Sequence, residues 1–148
     1  MTDLILRQAT LSDIPQLAAI EQACFAQPWS EKAFKESMDG DNALFLCAEI
    51  GGVIAAYIGL YLSFDEAEVT NIATLPAYRR KGLARALLQK TEAELTLRGV
   101  TALHLDVRVS NEAAKALYEA MGFGIDGIRR GFYSQPREDA VLMTKLLK

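Results

Sequence analysis

The chain has 148 residues, 51% of them hydrophobic, with 19 acidic side chains against 16 lysines and arginines for a net charge of −3. That length fits one domain with a real core, the apolar content excludes intrinsic disorder, and a mildly acidic total excludes broad nucleic-acid binding, which needs a wide basic face. Two cysteines, Cys24 and Cys47, and one histidine, His104, exclude a zinc cluster of usual spacing and a disulfide framework. No secretory pattern follows Met1, and the longest apolar run, residues 53–62, falls short of the roughly 18 residues a membrane-spanning helix needs. The expectation is a cytoplasmic protein with both thiols buried and no membrane partner.

Residues 4–6 read as a first strand. Thr10-x-x-Asp13 is a capping-box variant that starts a helix to about residue 25, with Ile14, Leu17, Ala18 and Glu21 at helical spacing. Pro28-Trp29 breaks the chain, and Ser30 caps a second helix to about residue 38. Strands at 44–50 and 53–64 flank Gly51-Gly52, a strong two-residue hairpin signal. Asp65, Glu66 and Ala67 turn the chain into a strand at 68–74, and Leu75-Pro76 ends it. A long helix over 82–98 stops at Gly99, as a left-handed cap would do. A strand at 102–107 follows, then a helix from Ser110-Asn111 to Met121, stopped by Gly122. Strands at 123–128 and 140–146 finish the chain, joined by a loop with Gly131 and Pro136. The order β-α-α-β-β-β-α-β-α-β-β predicts one mixed α/β domain over 1–148, with helices on both faces of the sheet. The unit spanning residues 68–107 should be a right-handed parallel crossover.

Arg79, Arg80, Lys81 and Arg85 crowd one strand-to-helix turn around Gly82. Backbone N–H groups at a helix start have no partner inside the helix, and the helix dipole adds partial positive charge there. Gly82 lets an anion approach the backbone, so the turn reads as a phosphate cradle. An ordinary basic helix start is the alternative. The spacing matches neither a Walker A loop nor a dinucleotide fingerprint, which disfavours both common nucleotide folds.

A second motif decides between these. With Arg79, Gly82 and Ala84, the run Asn111, Ala114, Leu117, Tyr118, Gly122, Phe123 resembles the GNAT family of acetyl-CoA-dependent N-acetyltransferases. The resemblance implies a sheet whose two central parallel strands splay apart, with acetyl-CoA as co-substrate and no metal. It implies that Ile72, Ala73 and Thr74 pair their backbone with the pantetheine arm. Arg80, Lys81, Gly82, Leu83, Ala84 and Arg85 would receive the pyrophosphate, and Asn111 and Tyr118 would complete the site. Asn71 would mark a bulge behind the splay; a plain turn or edge residue is the other reading. Segments around Trp29, Asp65, Asn71, Asp106, Arg129, Tyr133 and Arg137 are similar to a branch of the family that acetylates the N-terminal alanine of a small-subunit ribosomal protein. That likeness covers positions 28 to 140.

Direct acyl transfer needs a base for the amine and an acid for the departing thiolate. By the resemblance Tyr118 is the acid and Asp106 the base, acting through a water because the branch carries a longer glutamate there. Strand alternation places His104, Asp106 and Arg108 on one face. Asp106 could instead be held in a salt bridge to Arg108. Glu68 and Glu66 are alternative bases, and His104 a weaker one. Trp29, Arg129 and Tyr133 would lie near the acceptor, and Glu66, Glu68, Glu138 and Asp139 would suit a basic peptide. The expected partner is the N-terminal peptide of a ribosomal protein, with no direct nucleic acid, for a monomeric enzyme. Two other readings stay open: a GNAT enzyme acting on another protein or a small amine, and a non-catalytic acyl-CoA-binding module.

Overall fold

The computed structural model describes residues 3–147. Its strands are β1 (Leu4–Gln8), β2 (Ala43–Ile50), β3 (Val53–Ser63), β4 (Glu66–Thr74), β5 (Ala102–Arg108), β6 (Gly124–Tyr133) and β7 (Glu138–Leu146). They form one sheet in the order β1-β2-β3-β4-β5-β7-β6, antiparallel everywhere except between β4 and β5. The helices are α1 (Ile14–Cys24), α2 (Glu31–Asp39), α3 (Leu83–Leu97) and α4 (Glu112–Ala120). The element order and the mixed single-domain α/β class are those expected from the sequence.

Two cores sandwich the sheet. Leu17 and Ile20 of α1 and Phe34 of α2 close over Phe45, Cys47 and Tyr57 on one face. Leu87 and Leu88 of α3 and Tyr118 of α4 close over Leu46, Ile58 and Leu103 on the other. The helices start where their caps allow. Asp13 accepts the Thr10 N–H at 2.7 Å and takes both arms of the Arg7 guanidinium at 2.8 and 2.9 Å. That grip holds residues Leu11–Asp13 in a 3-10 turn, so α1 begins at Ile14. The Ser30 hydroxyl caps α2 by accepting the Ala33 N–H.

Some boundaries differ from expectation. β4 begins at Glu66 because Ser63 and Leu62 pair with Glu66 and Ala67, which leaves Phe64 and Asp65 as the turn. Pro76–Tyr78 forms a 3-10 turn, and β6 continues to Tyr133. Cys47 is buried, but Cys24 is only half-buried. No helix among the described residues is long and apolar enough to cross a membrane.

The feature that positions the site is a bulge in β4. Val69 faces Leu60 and Asn71 faces Gly59, so Thr70 is the extra residue, immediately before Asn71. Side chains alternate along a strand, and one inserted residue exchanges the faces. Before the bulge Ala67 and Val69 point to the α3 side; beyond it Ile72 does, and Ala73 joins the α1 side. A second shift at Ala48/Glu49 turns Ile54 to the α1 core in the same way. Pairing between β4 and β5 then stops after three positions, Glu66↔Ala102, Ala67↔Leu103 and Glu68↔His104. The strands continue to Thr74 and Arg108 without pairing, so the central parallel pair splays.

Gly59 opposite the bulge has no room for a side chain, since an added Cβ would lie 2.6 Å from Phe45 Cε1. Phe45 in turn packs against Phe34 and Trp29, at ring distances of 5.8 and 6.4 Å. Gly59→Ala should therefore destabilise the fold by about 1–3 kcal/mol, the usual range for overpacking, measured by urea unfolding. An unchanged midpoint would show that Phe45 swings aside freely.

Candidate active site

The splay opens a cavity of about 380 Å³, lined on the sheet side by Val69, Thr70, Asn71, Ile72, Asp106 and Arg108. Tyr118 of α4 forms part of it, and so do Trp29 and Gln27 of the α1–α2 loop, Tyr133 at the end of β6 and Ser134 of the β6–β7 loop. β4 supplies free backbone to this space. Leu75 donates to the Ala55 carbonyl at 2.8 Å, so pairing with β3 falls on alternate residues, and Ala73 shares it opposite Tyr57. The N–H and C=O groups of Ile72 and Thr74 point away from β3, toward the slit. The backbone of Ala73 pairs with β3 inside the sheet. The Thr74 carbonyl already accepts from Arg79 Nε at 3.2 Å and from the Cys24 thiol at 3.3 Å.

Farther along, Arg80 and Gly82 both take left-handed backbone, at φ of 63° and 75°. For an arginine that conformation costs roughly 1–2 kcal/mol, and it folds the turn tightly into the start of α3. The first helical bond runs from the Ala86 N–H to the Gly82 carbonyl at 3.0 Å. The N–H groups of Leu83, Ala84 and Arg85 precede it and have no acceptor within the helix. With the exposed side chains of Arg80, Lys81 and Arg85 around them, these groups fit a phosphate anion.

Tyr118 is fixed by its own motif. Gly122 sits at φ 98° just past α4, and the Phe123 N–H returns to the Tyr118 carbonyl at 3.0 Å. The Phe123 ring packs edge-on against Tyr118 at 5.8 Å. This helix-end arrangement ties the last residues to the third-last helical position through one hydrogen bond and one apolar contact. The Tyr-x-x-x-Gly-Phe spacing is thus a device for holding the phenol. Burial, then the nearby Asp106 charge, pushes the Tyr118 hydroxyl up to about 12, so it keeps its proton at neutral pH. At the other end of α4, the Asn111 side-chain oxygen caps the helix through the Ala114 N–H at 3.2 Å, and the residue lines the cavity.

Asp106 stands half-buried on β5. Burial raises its carboxyl above the usual range, while the Tyr133 hydroxyl donating at 3.2 Å and the charge of Arg129 oppose that shift. Arg108 makes no salt bridge to Asp106; its ion pair is to Glu138, at 3.2 Å. Of the alternative bases, Glu66 accepts or shares a proton with His104 Nε2 at 2.6 Å, and His104 Nδ1 meets Thr144 at 2.7 Å. Glu66, Glu68 and His104 are not among the cavity walls. Trp29 and Tyr133 are, whereas Arg129 lies over the ring of Phe132, which is. Glu138 and Asp139 are taken up in the loop, accepting from Ser110 and Gly131 N–H groups at 2.6 and 2.7 Å.

Glu21 was legible only as a member of the α1 apolar stripe. It is 1% exposed, yet it lines the cavity and accepts from the Trp29 N–H at 2.9 Å and the Tyr57 hydroxyl at 2.5 Å. An acid on an otherwise apolar helical face was the signal for it. Asn71 closes the same corner, accepting from the Trp29 indole at 3.3 Å and donating to Thr70 Oγ1 at 2.9 Å. Among the described residues no cluster of His, Cys, Asp or Glu could hold a metal.

Free strand backbone leading to a cationic helix start, beside a carboxyl and a protonated phenol, is what an acyltransferase using a coenzyme-linked thioester requires. Residues 14–123 match the Acetyltransferase (GNAT) family, and the chain belongs to that family. Enzymes of this family use acetyl-CoA. The chain is 46% identical over 134 residues, 89% of this chain and 90% of the relative, to the [Ribosomal protein bS18]-alanine N-acetyltransferase of Escherichia coli K12. It is 37% identical to the enzyme of that name from Haemophilus influenzae, covering 94% of this chain and 96% of the relative. The crystal structure of the ribosomal-protein-S18-alanine N-acetyltransferase from Escherichia coli superposes with a TM-score of 0.92 at 40% identity, covering 99% of this chain and 95% of that one.

The Tyr133 hydrogen bond favours the charged form of Asp106, and its loss should raise the carboxyl further. In Tyr133→Phe the Asp106 carboxyl should ionise at a higher pH than in the wild type, as followed by carbon-13 NMR of the side chain. A shift to lower pH would show that Tyr133 does not stabilise the carboxylate.

Proposed function

We propose that the chain transfers the acetyl group of acetyl-CoA to the N-terminal α-amine of a small-subunit ribosomal protein beginning with alanine. The observation that carries this is the placing of Asp106 and Tyr118 as walls of one cavity at the splay. The identity to the Escherichia coli enzyme along most of both chains supports the acceptor.

Acetyl-CoA supplies the acetyl group and a thiol leaving group. Ile72 and Thr74 hold its amide-bearing arm by backbone hydrogen bonds, much as an added strand is held, with Ala73 between them. Arg80, Lys81, Gly82, Leu83, Ala84 and Arg85 receive the pyrophosphate, and Asn111 flanks the arm beside Tyr118. Asp106 takes a proton from the α-amine through a water, which leaves the nitrogen lone pair free to attack the thioester carbonyl. An α-amine has a pKa of about 8, so near neutrality a raised carboxyl is better matched to it than an ordinary aspartate. As the carbon–sulfur bond breaks, Tyr118 delivers its proton to the departing sulfur, and the surplus proton of the attacking nitrogen restores the phenol as the amide forms. Asp106 lines the cavity, and the Tyr133 hydroxyl donates to its Oδ1. We place the enzyme in the cytoplasm, where its acceptor is made, working as a monomer.

The test is a panel of N-terminal peptides incubated with acetyl-CoA, with acetylated product measured by mass. Alanine-starting ribosomal peptides should be modified and polyamines should not; acetyl-CoA binding with no product from any amine would leave only a binding module. Asp106→Asn and Tyr118→Phe should each lower kcat by about a hundredfold, the range for general acid–base groups, with acetyl-CoA affinity retained. Near-full turnover in Asp106→Asn at neutral pH would remove it as the base.

A further inference from the structure

Arg108 ends β5 on the cavity wall but touches neither Asp106 nor Tyr118 by hydrogen bond. Its guanidinium reaches instead into the β6–β7 loop. Nη1 donates to the Pro136 carbonyl at 2.9 Å and to Glu138 Oε1 at 3.2 Å, and Nη2 donates to the Ser134 carbonyl at 3.2 Å. The face of the same group lies 4.4 Å from the centre of the Tyr133 ring. Tyr133 in turn donates to Asp106, and Ser134 donates across the cleft to Gln27 Oε1 at 3.2 Å.

One planar cation thus holds two loop carbonyls, a carboxylate and an aromatic face. The consequence is specific. Residues 134–136 and Phe132 are exposed and have no apolar core beneath them to fix their course. A loop without burial takes its conformation from its hydrogen bonds. Arg108 supplies three of those bonds, beside the Gly131 N–H to Asp139, the Tyr133 hydroxyl to Asp106 and the Ser134 hydroxyl to Gln27, and the segment it helps order lines the cavity with Trp29. We propose that Arg108 is a positioning residue for the acceptor: it fixes the β6–β7 loop, and with it Tyr133, as the wall along which the incoming peptide lies.

This rests on the reading of the cleft as an acetyl-acceptor site. The donor side is built from β4 and the start of α3, which Arg108 does not contact by hydrogen bond or ion pair. The two substrates should therefore respond differently. Arginine is required because only a five-donor fork can meet several acceptors in one plane while presenting its face to a ring; a lysine keeps the charge and loses both.

The experiment compares wild type, Arg108→Lys and Arg108→Gln by initial rates with peptide and acetyl-CoA varied separately, and by hydrogen–deuterium exchange. Lysine at this half-buried position keeps the charge and the stem, which guards against a simple failure to fold. In both variants the peptide KM should rise about tenfold, the loss expected for a charge-assisted hydrogen bond, with the acetyl-CoA KM unchanged. Exchange should quicken over residues 131–138 and stay constant in α3 and β2. An unchanged peptide KM, a matching rise for both substrates, or unaltered exchange in the loop would each overturn the proposal. If the wild type acetylates no peptide, the functional reading fails, and loop exchange alone still decides whether Arg108 orders the wall.

Discussion

The structure depends on two parallel strands in the middle of a sheet that pair briefly and then part. Backbone N–H and C=O groups inside a protein must find partners, and leaving them bare costs about 1–3 kcal/mol each. A sheet that stops pairing midway is tolerated only where the gap is open to water or to a ligand's own amides. Here the three rungs at Glu66, Ala67 and Glu68 anchor the pair, and the bulge at Thr70 twists β4 away from β5 beyond them. Trp29, Asn71 and Glu21 brace that departure from the α1 side. The cavity is therefore a product of the backbone, and the side chains around it are placed by where the strands go.

Parting also sorts the chemistry. Burial in the cleft acts in the same direction on an acid and on a phenol, disfavouring the charged form of each. For Asp106 this brings the carboxyl nearer to the range of an amine's proton; for Tyr118 it secures a proton at neutral pH. An ionised Asp106 also discourages ionisation of Tyr118 and raises the phenol further. Burial at the splay thus raises both groups above their values in water. Tyr133 opposes the effect on Asp106 by donating to it, which favours the charged carboxylate.

Much of this was legible in the chain before any coordinates. Gly51-Gly52 announced the hairpin, and the cationic turn at Gly82 announced the helix start, because turn chemistry is local and needs particular residues. The Gly122-Phe123 pair was legible as part of a motif, and the structure supplies its reason in the helix end that holds Tyr118. The bulge was tied to Asn71, one residue past Thr70, because a bulge shows in sequence only as a change of side-chain parity, and Thr70-Asn71-Ile72 alternates weakly. Which backbone groups of Ile72, Ala73 and Thr74 face the slit depends on pairing with β3, which composition does not report. Arg108 read as a possible partner for Asp106 since the two share a strand face, but the nearer carboxylate in space is Glu138, brought there by β7. Glu21 was hidden by its own helix, where spacing suggests core and only the structure shows a carboxylate at the cavity.

The two halves of the cleft are built on different principles. On the proposed donor side the candidate contacts are backbone: the groups of Ile72 and Thr74 that point away from β3 and the helix-start N–H groups of Leu83, Ala84 and Arg85. Such contacts are indifferent to most side-chain changes, which is why a short motif suffices to identify the co-substrate. On the acceptor side, side chains and one hydrogen-bonded loop form the wall, and each can change without disturbing the sheet. A fold divided in this way keeps its donor while its acceptor diverges. Asp106 sits at the boundary, on a core strand but facing the loop. A carboxylate one methylene shorter than a glutamate reaches less far from β5, and the Tyr133 hydroxyl already holds one of its oxygens. In the proposed reaction the amine reaches Asp106 through a water, which would leave the precision of the acceptor's approach to the loop wall rather than to the base itself.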